Sequence, residues 1–171
     1  MDMNKSDNKK SAYRKILALL ISVLMLLSLA GCGDGSADIS SYGDTPIAVA
    51  GLTDEEFAIT PNQLLELECV SRTATGATAK AGTVSVKGPL LETFLAEYGC
   101  KSSDFNKIRF LAGDGYKVVL RNEYLTDYEV VMAVTGSKEP LGEQQQPMRL
   151  LIPEAESAMW GYNIIRIEFE R

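Results

Sequence analysis

From residue 46 onward, apolar residues come in short runs broken every few positions by glycine, proline or aspartate, a punctuation that rules out long helices. Residues 46–52 (Pro-Ile-Ala-Val-Ala-Gly-Leu) read as a short strand closed by a glycine turn, and 56–59 alternate as a half-buried strand does. Thr60 then Pro61 has the form of an N-cap with proline at the first helical position. It opens a short helix through Leu67 with Leu64, Leu65 and Leu67 inward. Runs 69–75 and 83–87 are strands on either side of a loop bounded by Gly76 and Gly82. Pro89 opens the most regular helix, with Leu90, Leu91, Phe94 and Leu95 on one face and Gly99 as its stop. Beyond Lys107 the pattern is mainly strand. Runs 108–112 and 116–120 flank Gly113-Asp114-Gly115, a hairpin signal because these residues tolerate positive φ. Strands at 129–134, 149–152 and 163–170 follow, with a polar segment over 137–146. No internal repeat is visible. Short strands without regular βα alternation predict an α+β fold. The expected architecture is a single compact domain of many short, mostly antiparallel strands with two or three short helices.

Ahead of this domain the residues state an address. Lys5, Lys9, Lys10, Arg14 and Lys15 precede an apolar run from Ile16 to Leu27, and small residues then lead to Cys32. A charged segment, a hydrophobic segment and a small-residue cleavage site make a secretory leader. The apolar run is short against the ~20 residues a membrane span needs. Leu29-Ala30-Gly31-Cys32 is similar to the lipobox of bacterial lipoproteins. That resemblance implies a leader over 1–31, removal of which leaves Cys32 as a lipidated N-terminus. The segment 32–45 then reads as a Gly-, Ser- and Asp-rich tether, and 46–171 as the domain. The protein is expected at the outer face of the cell membrane, held there by acyl chains. Losing the leader's five basic and two acidic residues takes the net charge from −6 to −9. Such a surface argues against nucleic acid as a partner.

The residue inventory excludes much chemistry. The chain has no histidine, which removes Ser-His-Asp and Cys-His catalysis and histidine-ligated zinc or haem. A Ser-x-x-Lys pair occurs at Ser6 and Lys9, inside the leader, and residues 76–82 lack P-loop spacing. Carboxylates gather at Asp54-Glu55-Glu56, Glu66/Glu68 and Glu154/Glu156, beside turn residues, and read as solvated charges. Cys69 and Cys100 either form one disulfide or sit apart as small apolar residues; the sequence leaves both open. Trp160, in Ala158-Met159-Trp160-Gly161-Tyr162, reads as core packing, with a pocket lining as the alternative.

Taken in order, several pieces resemble the sulfite-oxidase-type molybdopterin-binding domain. Val49-Ala50-Gly51-Leu52 and Phe57-Ala58-Ile59-Thr60 come first. Gly88-Pro89-Leu90-Leu91-Glu92-Thr93-Phe94-Leu95 is similar to the family's "G-x-P-L-x-x-L-L" helix, and Phe110-Leu111-Ala112-Gly113-Asp114-Gly115-Tyr116 to its "F-x-S-x-D-G-Y" hairpin. Residues 133–141 are similar to "A-Y-x-x-N-G-E-P-L" and 147–153 to "P-L-R-L-V-V-P". Residues 164–169 match the closing strand. The resemblance covers nearly the whole domain.

In that family a cysteine thiolate binds molybdenum, while basic and histidine side chains hold the pterin phosphate. Cys69 echoes the family's "L-E-C-V" motif but falls at the start of its strand; the family's ligand comes near the far end, here Thr73 to Gly76. The usual His-Gly is replaced by Gln145-Gln146. Arg72, Lys80, Lys87 and Arg149 are the basic residues left for a phosphate. The expectation is therefore a binding module with a degenerate cofactor site and no cofactor, taking a small ligand or an envelope protein. The alternative is a molybdopterin-dependent oxidoreductase with Cys69 as metal ligand. Under either, Cys69, Arg72, Lys80 and Arg149 are the candidate site residues.

Overall fold

The computed structural model describes residues 37–76 and 82–171, with the backbone alone at 122 and 123. In chain order the elements are β1 (Ile47–Ala50), β2 (Phe57–Ile59), α1 (Pro61–Leu65), β3 (Cys69–Thr75), β4 (Thr83–Pro89), α2 (Leu91–Ala96), β5 (Lys107–Ala112) and β6 (Lys117–Arg121). Then come α3 (Asn122–Asp127), β7 (Val131–Ala133), β8 (Thr135–Gly136), β9 (Arg149–Leu151) and β10 (Ile164–Glu170). The largest sheet has the order β2-β1-β10-β5-β6, in which only the β1 and β10 neighbours run parallel. A second sheet has the order β3-β4-β8, and β7 pairs with β9 alone. The predicted α+β class, with short and mostly antiparallel strands, holds.

Local chemistry accounts for several of these boundaries. Thr60 and Gln63 close a reciprocal capping box ahead of α1, with Pro61 in its first turn. The β5–β6 hairpin turns on Gly115 at φ 88°, and the Asp114 carboxylate accepts the Tyr116 N–H at 2.9 Å. Pro89, expected to open a helix, instead ends β4, and the helix begins at Leu91. The cause is tertiary: a Cβ on Gly88 would lie 2.1 Å from the Met132 carbonyl oxygen, and the Leu91 N–H is taken by the Val130 carbonyl. These contacts keep the segment extended against β7. The strand expected at 129–134 is divided, because the chain changes partners at Val134, whose N–H bonds the Lys87 carbonyl. β7 therefore pairs with β9, and β8 pairs with β4. Helix α3 was not foreseen. No side chain caps it, and Ser102 holds it by donating to the Leu125 carbonyl at 3.1 Å.

The layers follow from the pleat. One face of the five-stranded sheet packs on α1, α2 and one face of β7–β9, through Ile47, Ile108, Phe110, Ile167, Leu64, Phe94, Met132 and Leu150. The other face of β7–β9 meets β3–β4 through Val131, Ala133, Leu151, Ala74, Val86 and Trp160. The pair β7–β9 is thus a middle layer whose strand residues are all buried. The segment read as a tether is packed at its C-terminal end, where Ile39 and Tyr42 cluster with Leu141.

Candidate functional site

Arg149 is the third charged or polar residue, after Ser102 and Thr135, among the buried ones, and it sits on the middle layer opposite Ala133. Alternation along β9 puts Arg149 on the same face as Leu151, toward β3–β4, where a groove of about 580 Å³ opens. Thr83 to Val86 of β4 make one wall, residues 136–141 the other, and Gln145 and Arg149 complete the lining. Glycine is required in the second wall, since a Cβ on Gly136 would lie 2.6 Å from the Glu139 carbonyl oxygen. Thr135 Oγ1 and the Gly136 N–H both donate to that carbonyl. Tyr42 pins the end of this wall. Its hydroxyl donates to the Val134 carbonyl at 2.9 Å and accepts the Leu141 N–H at 3.0 Å, and burial raises its pKa.

The environment of Arg149 is aromatic rather than acidic. Its guanidinium lies 4.5 Å from the Tyr162 ring centroid and 5.8 Å from that of Trp160. Nη2 donates to the Tyr162 hydroxyl at 3.4 Å, and buried Nε has no hydrogen-bond partner. Among the described residues no carboxylate pairs with it, and burial lowers its pKa. Contact with two rings recovers part of the lost hydration. A buried cation without a counter-charge nevertheless carries a penalty of several kcal/mol. An anion entering the groove would supply that counter-charge.

The other candidates lie elsewhere. Arg72 on β3 is committed to Glu129 by a two-pronged pair at 2.5 and 2.7 Å. Cys69 stands opposite Pro89, at the end of the β3–β4 ladder away from Thr83 to Val86. Three residue steps, about 10 Å of strand, separate Pro89 from Val86. The Cys69 thiol donates to the Leu64 carbonyl at 3.7 Å, and burial pushes its pKa up, with Lys87 pulling the other way. Lys87 faces Ser71 across the ladder. Lys80 and Cys32 lie outside the described residues. The structure therefore leaves Arg149 in the groove and does not bring Cys69 or Arg72 to it. Trp160 is core, its Nε1 donating to the Ile152 carbonyl at 2.9 Å. Cys69 and Cys100 are free thiols. Among the carboxylate clusters, Glu56 pairs with Arg166, and no described His, Cys, Asp and Glu side chains gather as a metal site.

Sequence reasoning missed Tyr42 and Glu139, which sit in polar stretches that carry no distinguishing signal. It also had a usable signal for the burial of Arg149. A lone charge inside Met148-Arg149-Leu150-Leu151-Ile152 belongs to a strand buried on both faces.

No protein-family model matches the sequence, and no curated protein matches it. Among solved structures, the sulfane dehydrogenase SoxCD from Paracoccus pantotrophus is similar, with a TM-score of 0.62 and 20% identity. The match covers 75% of this chain and 38% of that one, so the chain spans well under half the length of this neighbour. The likeness supports a sulfite-oxidase-like fold, as the motifs implied.

Proposed function

We propose that this chain is a lipid-anchored extracytoplasmic binding module, tethered through Cys32, whose groove takes a small anionic ligand at Arg149. The observation that carries this reading is a buried guanidinium with no carboxylate partner among the described residues and an unpartnered Nε. Burying an unpaired charge is unfavourable, and a fold retains it where something else completes it. The segment that ends the tether also braces the groove, because Ile39 and Tyr42 pack on Leu141. The segment bracing the groove then lies close in sequence to the anchor. Cys32 precedes Tyr42 by ten residues, a reach of at most ~35 Å fully extended.

The residues around the groove do not fit a molybdopterin. The strand positions facing Thr83 to Ser85 are Thr73, Ala74 and Thr75, none of which supplies a thiolate. Cys69 is at the other end of the ladder with its thiol pKa raised. Gln145 is neutral where a histidine would share a phosphate charge. We therefore derive no redox step for this chain.

Thermal-shift measurements on the purified protein with small organic and inorganic anions test the reading. The melting temperature rises with an anion for the native protein and not for Arg149→Met; no rise with any anion rejects it. Elemental analysis after expression in a molybdopterin-competent host tests the oxidoreductase alternative. Stoichiometric molybdenum that is lost in Cys69→Ser would establish that alternative instead. The anchor is tested by fractionation: Cys32→Ser is expected to leave the membrane fraction.

A further inference from the structure

We propose that the groove is shaped for the carboxylate of a singly charged organic acid and discriminates against phosphate. The inference rests on reading the groove as an anion site and names the chemistry of its ligand.

Charge comes first. Arg149 is the buried cation of the lining, and the other lining cation, exposed Lys138, is followed directly by Glu139, also a lining residue. The groove thus offers a net positive charge of about one. A phosphate monoester carries ≈ −1.5 to −2 at neutral pH. Its second charge would be desolvated without a buried cation to pair with. A carboxylate brings one charge and leaves none over.

Donor geometry gives the second argument. Phosphate sites are lined by convergent backbone N–H groups. Here those of Gly136, Ser137 and Gln145 are already given to the carbonyls of Glu139, Ser85 and Gly142. Gln146 is also engaged, its Nε2 donating to the Leu141 carbonyl at 2.8 Å. One edge of the guanidinium, by contrast, lacks a strong partner. Nε is sealed from solvent without a partner, and Nη2 has only its 3.4 Å bond to the Tyr162 hydroxyl, so a ligand reaches this edge by moving that hydroxyl aside. These two nitrogens form a fork that matches the two oxygens of a carboxylate. Tyr162 is 39% exposed and held to Arg149 by that one long bond, so its hydroxyl is the group an arriving carboxylate displaces. The Tyr162 ring, at 4.5 Å, keeps the guanidinium plane in place.

Matched pairs of probes test this on the full chain in detergent: acetate against inorganic phosphate, and benzoate against phenyl phosphate, by calorimetric titration at neutral pH. The carboxylate of at least one pair is expected to bind at least about tenfold more tightly than its phosphate, a difference of ~1.4 kcal/mol. Arg149→Lys keeps the charge and removes the fork, and is expected to erase that preference. Gln145→Lys adds a third lining cation, at a half-buried position, and is expected to shift the preference toward phosphate. Lowering the pH through the second phosphate pKa, ~6, is expected to strengthen phenyl phosphate binding. Phosphates binding as tightly as the carboxylates, or more so, overturns this inference and leaves the anion site standing. Binding by none of the four probes overturns both.

Discussion

Two arginines in this protein meet opposite fates. Arg166 lies on the outer face of the five-stranded sheet, where Glu56 accepts its two terminal nitrogens at 2.7 and 2.9 Å and Glu168 accepts Nε at 2.9 Å. Those bonds raise its pKa. The surrounding face continues the pattern, with Lys107 and Arg109 both reaching Glu170. Arg149 lies in the middle layer with aromatic rings for company, an unpartnered Nε and a pKa lowered by burial. Same side chain, opposite electrostatics. The charges of the sheet face are paired with one another, whereas the groove holds a charge that no described carboxylate neutralises. This difference, more than fold likeness, directs attention to the groove.

The comparison breaks most readily at Arg149→Met, which keeps the bulk and removes the charge. Anion affinity is expected to fall on the order of a hundredfold or more. Stability is expected to stay level or rise by up to ~4 kcal/mol, because an uncompensated buried charge is gone. Urea unfolding checks this, and a large loss of stability would make Arg149 a structural residue. Tyr42→Phe comes next. It strands the Val134 carbonyl and the Leu141 N–H in a buried position, and is expected to cost ~1–3 kcal/mol and weaken anion binding through the loosened wall. Equal affinity in that variant would separate the wall from the ligand.

Smaller effects belong to the sheet face. Hydrogen bonds from Arg166 and Lys107 hold the Glu56 and Glu170 carboxyls below their ordinary value of 4.5. Carboxyls with lowered folded pKa values stabilise above their unfolded pKa, and that contribution is lost as the pH falls through the folded values. Thermal melts taken from neutral into acid are expected to show this loss below about pH 4.5, and less of it in Glu56→Gln. At neutral pH Glu56→Gln is expected to move the melting temperature by about a degree or two at most, and less in high salt, because the pair is solvent-exposed. A larger shift would mean that the face is less self-sufficient than its pairing suggests.

Much of the fold was legible because its signals are local. The Thr60 N-cap with Pro61 after it, the Asp114-Gly115 turn and the alternation of residues 164–170 depend on neighbours a few positions away. The errors fall where distant contacts decide. Pro89 stays in a strand because β7 presses against Gly88, and α3 is held from outside by Ser102. Arg149 was visible as one of four basic candidates, and the apolar run around it was the signal left unused. Arg72, partly exposed, has found Glu129, 57 positions away, whereas Arg149 is buried on two aromatic rings.

The sequence by itself determined the α+β class, the run of short strands, the absence of histidine chemistry and the expectation of an anchored, acidic protein. These depend on composition and on periodicities of two and near four residues, which any stretch of chain carries within itself. Tertiary structure alone decided which charge is neutralised and which is not. A counter-ion is a matter of distance in space, and Glu56 reaches Arg166 across 110 positions while no described carboxylate reaches Arg149.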